Sequence, residues 1–292
     1  MLGLSCARRL PGTLADNMTS PSGVAAQGEE LLAAAFSLAQ QTWRGRLVAG
    51  YALGSLAHGG FSAVSDTDLG LVLSDPLLAS DNASITSLVQ SIKSTDRPFA
   101  DRLSVFWGSV GTLSGSSQGG RFPPLDRLDL IKYGRLLGGT DVRSKLTTPT
   151  RKELVVAGAE FALWRLATDE VISKLKHPQS LARSDPKTLT KLLLYPVRFM
   201  FTARTGEVGR NEAAVEYFVE TAKGPATKLV RLALDWRNAG PLDSDPSAMR
   251  AIAAGVVPLY EEFLGDHESR LKEYGRQDLA EAFSQWRQRL LA

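Results

Sequence analysis

Leu53-Gly54-Ser55-Leu56-Ala57-His58-Gly59-Gly60-Phe61-Ser62-Ala63-Val64-Ser65-Asp66-Thr67-Asp68-Leu69-Gly70-Leu71-Val72-Leu73 joins a Gly-Ser turn to a pair of aspartates one residue apart. An apolar run from Leu47 to Leu53 ends on a Gly-Ser turn, and a second apolar run, Thr67 to Leu73, carries Asp66 and Asp68 at its start. Acids at i and i+2 of a strand project from one face, an arrangement suited to a hard cation such as Mg2+ through oxygen ligands. Gly54 lets the backbone take positive φ and approach a ligand, while the turn amides and the Ser55 hydroxyl can donate to phosphate oxygens. A helix beginning just after Ser55 would add the partial positive charge of its amino end. Ser65 shapes the turn into the second strand.

The totals bound what surrounds this stretch. The chain has 292 residues, 43% of them hydrophobic, enough for two ordinary domains or one large one with proper cores. No run of 18 or more apolar residues suggests a membrane span. The formal charge is +3, with 13 basic and 12 acidic residues before position 150 and 21 and 19 after it. Neither half has the clustered basic excess of a phosphate-backbone binder. The single cysteine, Cys6, allows no intrachain disulfide and no cysteine metal cluster. Arg8-Arg9 follow the apolar start instead of preceding it, which is not the order of a secretory signal, so a cytoplasmic location is expected. Residues 1–20 read as a disordered tail or an extension ahead of a start at Met18.

Taken in order, Thr19-Ser20-Pro21-Ser22 opens a helix over about 24–43, followed by a strand over 47–53. Residues 56–65 read as a short helix and loop, 67–73 as the second strand, 82–94 as a helix, and 103–107 as a third strand. Residues 108–120, rich in glycine and serine, read as a disordered loop or a mobile lid. Residues 126–138 read as a helix or a helix-strand pair. Thr150-Arg151-Lys152-Glu153 has capping-box form, and Asp185-Pro186 is a second helix start. Helices are expected over 211–222, 225–238, 246–264 and 267–291, with a break between the final pair at Gly265. No strand periodicity interrupts residues 149–292, so the chain reads as α+β, with a sheet-containing domain over 21–148 and an all-α domain over 149–292.

Gly54-Ser55, Gly59-Gly60 and Ser65-Asp66-Thr67-Asp68-Leu69 together resemble the signature of the DNA polymerase beta-type nucleotidyltransferase superfamily. Within it they are most similar to the aminoglycoside (streptomycin and spectinomycin) adenylyltransferase branch. A looser similarity covers Arg198, Thr205-Gly206, Arg210 and Ala213-Ala214, where that branch has a basic residue reaching the nucleotide phosphates. The resemblance spans about residues 47–225. It implies a mixed five-stranded polymerase beta-like domain followed by a helical domain forming the other wall of a cleft. The implied activity is transfer of a nucleoside monophosphate, AMP from ATP or its equivalent from another nucleoside triphosphate, to a hydroxyl of a small-molecule acceptor, by a monomer or weak dimer. In that reading Gly54, Ser55 and Ser65 hold the nucleotide, Asp66 and Asp68 hold Mg2+ and carry the catalysis, and Arg210 neutralises phosphate charge.

Two departures from the family bear on this. The third acid of the family, on the strand after the Asp-x-Asp strand, is replaced by Ser104, and a missing general base costs on the order of 100- to 10,000-fold in rate. That leaves open a catalytically weak or inactive nucleotide-binding module. Asp101 reads as a solvated residue at the start of that strand, able to help only through a bulge. Lys187, Thr188 and Lys191 stand where the branch carries acids for cationic antibiotics, which disfavours a cationic acceptor. A transferase acting on protein or RNA is a further reading. His58 reads as structural or as a group touching phosphate or acceptor, and Trp43, Trp107, Trp164, Trp236 and Trp286 read as core.

Overall fold

The computed structural model describes residues 21–239 and 246–292. The expectations for residues 1–20 lie outside the described residues. Strand β1 (Leu47–Leu53) runs antiparallel to β2 (Thr67–Leu73), which runs parallel to β3 (Leu103–Ser109), and β4 (Arg135–Gly139) pairs antiparallel with β1. The sheet is therefore mixed, in the order β3-β2-β1-β4. Strands β1 and β2 are central and apolar on both faces, as strands covered on both sides are. The residue period of two divides them cleanly. Leu69, Leu71 and Leu73 pack with Ala52, Val105 and Trp107 against helices α1 (Pro21–Thr42) and α3 (Asp81–Lys93). Tyr51, Leu53, Val72 and Phe106 face the other way, onto Leu113, Leu130 and Val142. Asp68 alternates with Leu69 and so belongs to this second face, at the end of β2 that meets the turn after β1.

That turn is α2 (Gly54–His58), and the second face is covered by α4 (Val110–Ser114) and α5 (Pro124–Tyr133). Residues 108–120, expected to be a disordered loop or a lid, are instead ordered. Ser109 and Thr112 form a capping box that starts α4, and Arg121 exchanges both backbone hydrogen bonds with Trp107. The isolated bridge at Arg121 is also where a fifth strand would lie. Four strands are present among the described residues, because Pro123 and Pro124 leave that edge without donors and begin α5 instead.

Beyond β4 the described chain is helical: α6 (Arg151–Leu166), α7 (Asp169–Lys176), α8 (Pro178–Ala182), α9 (Pro186–Thr205), α10 (Asn211–Thr221), α11 (Pro225–Ala239), α12 (Pro246–Glu273) and α13 (Gln277–Leu291). The capping box at Thr150 and Glu153 forms as read from the sequence, and Asp185 caps α9 by accepting from the Thr188 amide at 3.0 Å. These helices share one apolar core centred on Tyr260, Phe263, Phe283 and Trp286. Gly265 does not break the helix: α12 runs through it. A lone glycine costs a helix only about 1 kcal/mol, and its neighbours Phe263, Leu264 and His267 are all buried, while Arg204 pairs with Asp266. The break falls at Gly275, whose φ of 73° suits a helix end. Trp164, expected in the core, is 70% exposed. The buried positions of α6 are Leu154, Val155, Gly158, Ala159, Ala162 and Leu166, and residue 164 lies off that stripe. None of the described helices is long and apolar enough to cross a membrane.

Candidate functional site

Gly54, Ser55, Ser65, Asp66, Asp68 and Arg210 all line one pocket, between the carboxyl end of β1, the start of β2 and helices α9 and α10. Gly54 has φ +60°, and a Cβ there would stand 2.6 Å from an Asp68 carboxylate oxygen. The position therefore requires glycine both for its conformation and for the closeness of the acid. Helix α2 is only five residues long, so it offers the amides of a single turn and not an extended dipole. Asp66 and Asp68 flank Thr67, which is wholly buried, and so share the cleft-facing side of β2.

The acid cluster is larger than Asp66 and Asp68. Helix α5 brings Asp126 and Asp129 to the same place, at a spacing of three residues that puts both on one helix face. Asp129 accepts a 2.6 Å hydrogen bond from the Gly54 amide, so this amide holds the turn to α5 instead of facing the pocket. The other Asp129 carboxylate oxygen is buried without a hydrogen-bond partner, 3.8 Å from His58 Nε2. His58 packs edge-on against Tyr133, and Arg210 lies over the same ring at 5.2 Å. Ser104 pairs with Asp68 across the parallel ladder, so a hydroxyl and no carboxylate stands beside Asp68 on β3. Asp101 is solvated, with 79% of its side chain exposed.

The opposite wall is basic. Along α9, Lys187, Lys191 and Arg198 fall at intervals that align them on one side of the helix. Lys187 and Lys191 pair with the two oxygens of Asp66 at 2.8 and 2.5 Å. Arg237 donates to the hydroxyls of Ser62 and Ser65, and Ser65 also accepts from the Ser62 amide. The Ser65 hydroxyl thus serves the turn and its tie to α11.

The electrostatics separate the two strand acids. Burial alone would raise the Asp66 carboxyl, but Lys191 and Lys187 outweigh it and hold the group below its ordinary value. Burial, then the charges of Asp66 and Asp129, push Asp68 up to about 7. Burial, then Asp68 and Asp129, push Asp126 up to about 8. Burial raises Asp129 and lowers His58, so this neighbouring pair is driven toward its neutral forms.

Among the described residues, no group of three or more His, Cys, Asp or Glu side chains is arranged to hold a metal ion. The donor chemistry nevertheless fits Mg2+ bound with a nucleotide, which takes one or two carboxylates from the protein and fills the remaining positions with phosphate oxygens and water. Asp66 and Asp68 are such a pair, and a divalent cation there would offset the burial and the like charges that raise Asp68.

No protein-family model matches the chain, and no curated protein sequence matches it. Among solved structures the chain is similar to the spectinomycin adenyltransferase AAD(9) from Enterococcus faecialis, determined with ATP and spectinomycin. The TM-score is 0.55 at 12% sequence identity, over 80% of this chain and 98% of that one. The likeness covers most of both chains and shows a shared α+β fold.

Proposed function

We propose that the chain is a nucleotidyltransferase that moves AMP from ATP to a hydroxyl of a small molecule, with Mg2+. The observation that carries this reading is the convergence of Gly54, Ser55, Asp66, Asp68 and Arg210 on one pocket. The AAD(9) likeness supports it at the level of fold and activity class. In the reaction the acceptor oxygen bonds to the α-phosphorus, the bond from that phosphorus to the bridging oxygen of pyrophosphate breaks, and the hydroxyl proton leaves. Asp66 and Asp68 would hold the metal, which supplies charge neutralisation at the phosphates when bound. The Ser55 hydroxyl and Arg210 bind phosphate oxygens, and Lys191 and Arg198 add positive charge along the facing helix. Asp126 and Asp129 line the adjoining cavity with Asp68, and either takes up the hydroxyl proton only in its ionised form, which burial disfavours in the chain alone. Pyrophosphate release from ATP over a panel of hydroxyl acceptors tests the reading. Asp66→Ala and Asp68→Ala are expected to lower the rate about a thousandfold, the several kcal/mol that such a metal contributes. Unchanged release by both variants overturns the reading.

A nucleotide-binding module with little transfer is the second reading, favoured by the register that sets Ser104 opposite Asp68. Calorimetry separates the two, since the module binds ATP and turns over no acceptor.

A further inference from the structure

We propose that the acceptor is a small anionic molecule carrying a flat ring, bound in the cavity between Asp66 and Trp164. This rests on the nucleotidyl-transfer reading and names the substrate class of the same site. The cavity has a volume of about 740 Å³, within the roughly 300–1,000 Å³ range of small-molecule sites. It shares Asp66, Lys191 and Tyr195 with the pocket that contains Gly54 and Ser55, so an occupant reaches the acid cluster from the Asp66 side.

Charge selects the class. Arg165, Lys174, Lys187 and Lys191 line the cavity against two carboxylates, Asp66 and Glu170. Both carboxylates already have cations, Asp66 through Lys187 and Lys191 and Glu170 through Lys174. Arg165 has no ion-pair partner among the described residues and lies 5.9 Å from the centre of the Trp164 ring. A cation entering here meets a surplus of its own sign, whereas an anion completes the wall.

Trp164 supplies the second element. It is 70% exposed, whereas the other four tryptophans are at most 7% exposed. An indole left in water at the mouth of a basic cavity, with a guanidinium beside it, offers a stacking surface for a planar group that also carries negative charge.

Because the other tryptophans are buried, ligand quenching of tryptophan fluorescence reads Trp164. The test titrates the full chain, without nucleotide, with four probes that share a ring and a hydroxyl. These are hydroxymethyl-benzoate, hydroxymethyl-benzyl phosphate, the neutral hydroxymethyl-benzamide and the cationic hydroxymethyl-benzylamine. At least one anion is expected to bind about tenfold or more tighter than the amide, the scale of one charge-assisted contact, and the amine more weakly still. The order of the two anions tells a carboxylate acceptor from a phosphate one. Trp164→Ala abolishes the quenching and weakens the anion about tenfold by calorimetry, as loss of one stacked ring does. Arg165→Glu weakens the anion and not the amide. Equal or tighter binding of the amine, unchanged anion affinity in Trp164→Ala, or no saturable anion binding through the millimolar range each overturns the proposal. No nucleotide is present, so these outcomes are independent of pyrophosphate release by the Asp66 and Asp68 variants.

Discussion

Two aspartates in the sheet-containing half meet opposite fates. Asp81, at the start of α3, is 1% exposed and fully served by hydrogen bonds. Trp43 Nε1, both terminal nitrogens of Arg46 and the Leu78 amide donate to it at 2.7 to 3.1 Å. Burial would raise its carboxyl, but Arg46 and the Leu78 amide hold it below its ordinary value. Asp68, enclosed at the start of β2, has other acids for neighbours and is pushed up to about 7. A buried carboxylate with its donors in place belongs to the framework, while one held among like charges is kept for a positive ligand.

The largest effect that would break this contrast is on stability. Asp81→Ala leaves the Trp43 indole and the Leu78 amide without their acceptor, while the quarter-exposed Arg46 keeps the Pro76 carbonyl, and is expected to cost about 1–3 kcal/mol, the penalty of unsatisfied buried donors. Asp68→Asn removes a repelled charge and is expected to raise the apo protein's melting temperature at pH 8. Chemical denaturation and calorimetry measure both. A stabilised Asp81→Ala or a strongly destabilised Asp68→Asn would erase the distinction.

The pH dependence sharpens it, because the two groups titrate with opposite sign. Asp68 has a folded value of about 7 against an ordinary 3.8, so the folded chain holds a proton that the unfolded chain releases. Its contribution to stability therefore declines as pH rises from about 4 to about 7, with Asp126 extending the decline to about 8. Asp81 is lowered, so its contribution is present above its ordinary 3.8 and is lost as pH falls through its folded value. Without metal, Asp68→Asn should flatten the neutral-side decline, and Asp81→Ala should flatten the acid-side loss. The smallest effect is at Ser104. Ser104 lines neither pocket that holds the acids and its hydroxyl is not a base at neutral pH, so Ser104→Ala should leave turnover within about twofold, well under the 100-fold that marks general acid-base catalysis.

How much of this was legible in the sequence follows from the range of each interaction. The Gly-Ser turn, the two flanking strands and the caps at Thr150 and Asp185 are local, and all are found where residue pattern puts them. Asp126 and Asp129 carried one signal, two acids three apart on a helix opened by Pro123-Pro124. Acids on a helix usually face water, and only the packing of α5 beneath β1 turns these inward. The lysine pair of α9 was legible as a basic wall, but its pairing with Asp66 joins residues 125 positions apart and appears only once the helices close over the sheet. Trp164 was misplaced because apolar residues on α6 outnumber its buried stripe, and residue type alone does not tell which of them faces out.

Whether Asp66 and Asp68 serve a metal-bound nucleotide is read from calorimetric titration of ATP with and without Mg2+. Mg2+ is expected to strengthen ATP binding to the parent chain, and Asp68→Asn to abolish the Mg2+ dependence while leaving the protein folded. ATP affinity that is the same with and without Mg2+ in the parent, or a Mg2+ dependence that survives in Asp68→Asn, would contradict that role.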